Sequence, residues 1–116
     1  MMGIKVNKTK CPPQVSCFDL SGKIYHENVN EMEKTLNKAI RNGTKNIVIN
    51  CEDLTIIDSS GLSVFVDVIK KLSKRSGSLQ LCAMNESVKK IFKLTNLEKF
   101  IEIYPDLETA IEELKD

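Results

Sequence analysis

The chain has no tryptophan, a single histidine and no C-x-x-C pair among its four cysteines. Cys11, Cys17, Cys51 and Cys82 are scattered, and with His26 alone beside them a zinc site has little to draw on. A disulfide framework is not expected. Cys51 and Cys82 sit in apolar strand patterns and read as small buried hydrophobes in a reducing compartment. An excess of one charge is missing too: 17 basic against 16 acidic residues leave +1, so no global field attracts nucleic acid or an acidic membrane. The nearest approach to a basic patch is Lys70, Lys71, Lys74 and Arg75, which reads as cations complementing a helix C-terminus. No apolar run approaches the roughly 20 residues of a membrane span. The opening residues Met1-Met2-Gly3-Ile4-Lys5-Val6 lack the apolar core and cleavage site of a secretory signal. Cytoplasmic residence, without membrane insertion, is the expectation. A Gly-rich phosphate loop and a G-x-S-x-G elbow are absent as well. His26-Glu27 has no supporting motif, so catalysis by this chain is not expected, and neither is a cofactor or metal.

What is present is an alternation of strand and helix patterns over 116 residues, a length suited to one domain. Ile4 and Val6 alternate with lysines. Val15 to Leu20 gives a second strand with Phe18 and Leu20 on one face, closed by Ser21-Gly22. Pro12-Pro13 forces an extended or turning connection between the two. From Asn28 the period becomes helical: Val29, Met32, Leu36, Ala39 and Ile40, with a stop at Asn42-Gly43. Ile47-Val48-Ile49 is a short continuous run typical of a strand covered on both faces. A second helix carries the stripe Leu62, Phe65, Val66, Ile69 and Leu72 and ends at Ser76-Gly77. Leu79 to Ala83 is another strand. A third helix fits Glu86 to Leu94, with Val88, Ile91 and Phe92 inward. Phe100 to Tyr104 reads as a last strand, in which Phe100, Ile101 and Tyr104 pack in the core. Asp106 then caps a final helix bearing Leu107, Ala110, Ile111 and Leu114. Strands alternating with helices imply parallel pairing by right-handed crossovers, preceded by an antiparallel hairpin. The fold class is α/β, a mixed and mostly parallel sheet with about four helices.

The densest chemistry lies in Thr55-Ile56-Ile57-Asp58-Ser59-Ser60-Gly61-Leu62. A β-branched run ends in an acid and two hydroxyls, and a glycine opens a helix. Backbone N–H groups there lack intrahelical partners and the macrodipole favours negative charge, so a phosphate on either serine would meet a receptive field. Ser59 reads either as a helix-capping hydroxyl or as a phosphate acceptor. Ser60 also fits the cap and is the fallback acceptor. Asp58 reads as ordering the loop or as helping to position a kinase-bound metal. The face formed by Tyr25, Asp58, Ser59, Ser60, Ser63 and Asp67 is the candidate partner surface.

Several blocks in order carry a resemblance to the STAS domain, and within it to bacterial anti-sigma factor antagonists. Asn46 to Asn50 with Asp53-Leu54 resembles the family's lead-in, and Ile57 to Leu62 its D-S-[ST]-G-L signature. Leu81-Cys82-Ala83, Val88 to Phe92 and Leu94 to Leu97 resemble its later strand and helix pattern. The likeness covers about residues 4–114 and implies a single STAS-like domain over 1–116. Two positions depart from it: Tyr25 stands where an acid is common, and Ser63 where glycine is common.

The resemblance implies a partner-switching module. Its unphosphorylated form would bind an anti-sigma factor with a histidine-kinase-like ATPase fold and so release a sigma factor. That kinase would phosphorylate Ser59, and a phosphatase would reset the cycle. A second reading is a constitutive STAS subunit of a transporter ATPase complex or signalling scaffold, with no phosphorylation cycle. A third keeps Ser59 as an enzyme nucleophile.

Overall fold

The structure, a computed structural model, describes residues 2–6, 11–12 and 15–114. Its longest strand is β3, Asn46–Ile57. Ile47, Val48 and Ile49 are all fully buried, because consecutive side chains point to opposite faces and both faces are covered. β3 continues unbroken through the second apolar run, so the lead-in and the Thr55-Ile56-Ile57 run belong to one strand.

Strands β1 (Met2–Val6), β2 (Val15–Ile24), β3, β4 (Ser78–Cys82) and β5 (Glu102–Tyr104) lie in the sheet in chain order. β1 pairs antiparallel with β2, Met2 opposite Gly22 and Val6 opposite Phe18, and all other pairs are parallel. This is the expected mixed sheet with its opening hairpin. Helices α1 (Val29–Arg41), α2 (Ser59–Ser73) and α3 (Glu86–Leu94) make the three crossovers. Connections of one hand between strands laid down in order place all three helices on one face. Their buried residues Met32, Leu36, Phe65, Leu72, Val88 and Phe92 share a single core with Phe18, Leu20, Ile47 and Ile49. The last helix, α4 (Leu107–Glu113), covers the other face, where Ala110 and Ile111 pack with Cys17, Val48 and Cys82.

Four details differ from the sequence reading. β2 does not close at Ser21-Gly22 but runs to Ile24. Gly22, at φ 82°, lies where the pairing with β3 shifts register, and the strand continues beyond it toward the site. On α2 the buried face includes Val64 and Val68, while Val66 and Ile69 are only partly covered. Phe100 is 71% exposed rather than in the core. It precedes β5 in the turn after a short 3-10 segment, Leu97–Lys99, so strand alternation does not govern it. Arg75 does complement a helix C-terminus, but that of α1: its guanidinium donates to the Ile40 and Thr44 carbonyls.

Against the expectation of no disulfide framework, Cys11 and Cys17 are bridged, with their Cα atoms 5.8 Å apart. The Val15 N–H donates to the Pro12 carbonyl, at 3.1 Å, between the two cysteines. Cys51 and Cys82 are free and buried, as expected. Pro13 lies outside the described residues.

Candidate functional site

Parallel strands β2 and β3 end side by side, Ile24 opposite Ile57. The chain leaves β2 into the turn Tyr25–Asn28 and leaves β3 directly into α2, so both exits meet at one end of the sheet. The turn is self-supporting. The Asn28 side chain accepts from the Tyr25 N–H at 2.9 Å and donates to the Lys23 carbonyl at 2.8 Å. The Tyr25 carbonyl accepts from the N–H groups of Asn28 and Val29.

Asp58 joins the two exits. It has extended backbone at the N-cap of α2, and its Oδ1 accepts from the N–H groups of Ser60 at 2.9 Å and Gly61 at 3.3 Å. The Ser60 hydroxyl donates to the same oxygen. Its other oxygen, Oδ2, accepts from the His26 N–H at 3.0 Å, across to the neighbouring turn. The Asp58 N–H in turn donates to the Ile24 carbonyl at 3.0 Å. The Ser60 hydroxyl is the main cause that holds the Asp58 carboxyl below its usual range, opposed by burial and aided by the backbone donors of Gly61, His26 and Ser60. One carboxylate therefore caps a helix and clamps a turn.

This assignment changes the roles read from the sequence. Neither serine is the cap. Ser60 is half-buried with its hydroxyl committed to Asp58. Ser59 occupies the first helical position, is exposed, and its hydroxyl has no hydrogen-bond partner among the described residues. The receptive N–H field is also partly filled, since Asp58 already takes two of the helix-end donors. The signal for the cap was present in the sequence: an aspartate between a β-branched strand and the first turn of a helix is a preferred N-cap.

Gly61 is buried because the helix start lies directly on the sheet. A Cβ there would sit 2.5 Å from Ile57 Cγ1 and 3.0 Å from Ile24 Cγ2, so only glycine lets α2 begin this close to the two strand ends. Ser63 is exposed one turn beyond Ser59 and its hydroxyl donates to the Ser59 carbonyl at 3.0 Å. Asp67 follows another turn on, about 12 Å along the helix from Ser59, and pairs with Lys71 at 2.9 Å. Tyr25 is half-buried in the clamped turn. Tyr25, Asp58, Ser59, Ser60 and Ser63 thus gather at one end of the sheet, and Asp67 extends the same helix face away from it. His26, exposed, enters through its backbone only. Among the described residues no group of three or more histidines, cysteines or acids is placed to hold a metal ion, and no helix is long and apolar enough to cross a membrane.

Comparison with known proteins bears on this arrangement. The model of the STAS domain matches residues 8–110. A Thermotoga maritima protein with the provisional name anti-sigma factor antagonist is 33% identical over 76 residues, 66% of this chain and 67% of that one. The anti-sigma-B factor antagonist of Staphylococcus aureus is 26% identical over 84 residues, 72% of this chain and 78% of its own. Among solved structures, the anti-sigma factor antagonist SpoIIAA superposes in its unphosphorylated form with a TM-score of 0.82 at 22% identity, covering 97% of this chain and 96% of its own. The phosphorylated form of the Bacillus protein gives 0.75 at 21% identity, covering 97% and 100%. At those identities the superpositions speak to the fold. With the family match extending over residues 8–110 of the chain, the chain belongs to the STAS domain family.

Proposed function

We propose that this protein is an anti-sigma factor antagonist, a non-enzymatic binding module of the cytoplasm controlled by phosphorylation of Ser59. The observation that carries the reading is the division of labour at the head of α2. Asp58 does the capping, so the exposed Ser59 hydroxyl is left without a structural task. The names of the relatives from Thermotoga and Staphylococcus support the same function.

In the unphosphorylated state the face formed by the Tyr25 turn, Ser59, Ser63 and the following turn of α2 receives an anti-sigma factor of histidine-kinase-like ATPase fold, which frees its sigma factor. That partner transfers phosphate to Ser59, and a phosphatase removes it. The phosphate adds about −1.5 to −2 charges. Because Asp58 already occupies the Ser60 and Gly61 N–H groups, the new charge stands outward beside a carboxylate instead of docking into the helix end. The fold has no need to rearrange. A partner packed against a neutral hydroxyl meets like charge and a desolvation cost, and leaves. Ser60 is the poorer acceptor, because it is half-buried where Ser59 is exposed.

The test is a pull-down from native cell extract with wild-type and Ser59→Asp baits. Capture of a kinase-fold ATPase by the wild type and its loss with Ser59→Asp is the expected result. Equal capture of a transporter or scaffold protein by both baits would replace this reading with a constitutive subunit.

A further inference from the structure

Cys11 and Cys17 lie far from Ser59. Cys17 pairs in register with Val48 near the start of β3, whereas Ser59 follows its end. The two sulfurs differ in access. Cys17 is 1% exposed and belongs to the small core beneath α4 with Val48, Cys82, Ala110 and Ile111. Cys11 is half-buried and packs on the edge of that core. Both line an open groove of about 680 Å³ between the start of β2 and α1, together with Val15, Phe18, Lys38 and Thr44. An accessible cysteine with a buried partner poised to resolve it, in a groove that Lys38 also lines, is an environment that favours thiolate chemistry. Cys82 shares the core with Cys17 but does not compete. Its thiol is pushed up to about 12, chiefly by burial and then by the charges of Asp106 and Asp19.

We infer that Cys11 and Cys17 form a reversible redox site whose oxidation state sets how firmly α4 is held. A low-molecular-weight disulfide RSSR is attacked by the Cys11 thiolate, forming a Cys11–SR mixed disulfide and releasing RS⁻. The Cys17 thiolate then attacks the Cys11 sulfur, closing the bridge and releasing a second RS⁻. Two thiols are oxidised, one RSSR is reduced to two RSH, and the cysteine protons pass to the departing thiolates. A dithiol reverses the sequence by entering at Cys11, the more exposed of the two cysteines. The bridge matters to α4 because that helix has seven residues and buries only Ala110 and Ile111. Ala110 and Ile111 share their core with Cys17, and Cys11, Val15, Leu107 and Leu114 pack on the edge of that core, so freeing the two cysteines loosens the cluster on which α4 rests. Elements with so little buried surface open at low free energy.

The test uses the full chain equilibrated in buffers of varied reduced-to-oxidised glutathione ratio. Each sample is acid-quenched and alkylated for peptide mapping, with hydrogen exchange of α4 followed in parallel. The expected result is a Cys11–Cys17 crosslink that forms and disappears reversibly with the ratio while Cys51 and Cys82 stay free. Amides of residues 107–113 exchange roughly tenfold faster in the reduced form, and amides of α2 do not change. Cys11→Ser, at the accessible position, should show the fast α4 exchange at every ratio. Free Cys11 in excess oxidised glutathione, a crosslink that does not reopen, or α4 exchange independent of the ratio would each overturn the proposal.

Discussion

Asp58 holds together two segments 32 residues apart in the chain, the Tyr25 turn and the head of α2, through a single side chain. Replacement by alanine removes both the cap and the clamp and should cost about 0.5–2 kcal/mol, the usual range for a lost cap. Asparagine keeps one acceptor oxygen for the helix and should cost less, while loosening the turn. The pH dependence has a definite sign. Asp58 titrates below its unfolded value of about 3.9, so its charged form is the stabilising one. That stability is complete above the unfolded value and is lost as pH falls through the lower folded value. Urea midpoints of wild type and Asp58→Asn should therefore differ most above about pH 5 and converge in acid. A constant gap across that range would show that the charge is not what stabilises the cap. Asp58 was legible as a residue of the motif but not as its cap, because aspartate and serine are comparable N-cap residues and three of them stand in a row at the helix start.

The elements themselves were mostly readable. Helical period in Val29 to Ile40 and the β-branched run Ile47-Val48-Ile49 mark α1 and β3 directly, since each pattern follows from which faces are buried. Asp106 caps α4 as expected, its side chain accepting from the Thr109 N–H at 2.7 Å. Residues in turns were harder. Asn85 caps α3, accepting from the Val88 N–H at 2.8 Å, while its amide donates to the Leu54 carbonyl at 3.0 Å; nothing local announces the second contact. Ala83, just before it, has φ 59° and its N–H bonds to the Tyr104 carbonyl at 3.0 Å. A left-handed alanine is strained, so Ala83→Gly should raise stability by up to about 1 kcal/mol, seen as a higher urea midpoint at unchanged m-value. The two phenylalanines around α3 give a sharper contrast. Phe92 is fully buried and stacks near Phe65 at 6.2 Å, whereas Phe100 is 71% exposed. Phe92→Ala should cost about 3–5 kcal/mol, and Phe100→Ala should fall within about 0.5 kcal/mol of wild type in the same denaturation assay.

At the scale of the whole molecule, the antiparallel opening hairpin and the parallel pairing that follows it were legible in the alternation of patterns, whereas the order of the strands in the sheet was not read. The side taken by α4 was not legible, since it depends on how distant segments close over the second face of the sheet, and the Cys11–Cys17 bridge, though local, has no sequence motif that announces it. Of the candidate surface, what was legible is that its residues lie together. Five of its six residues gather where β2 and β3 end, and Asp67 continues the helix face. The sheet brings these residues to one end and leaves Ser59 exposed above a capped helix start, so under the proposed switch a phosphate there would alter the surface without requiring the core to move. Recovery of the protein from its own cells, followed by tandem mass spectrometry, tests that account most directly. A phosphate localised to Ser59, and its loss in a Ser59→Ala strain without transfer to Ser60, is the predicted result. A phosphate on Ser60 with Ser59 unmodified, or an unphosphorylated protein under every growth condition sampled, would contradict it.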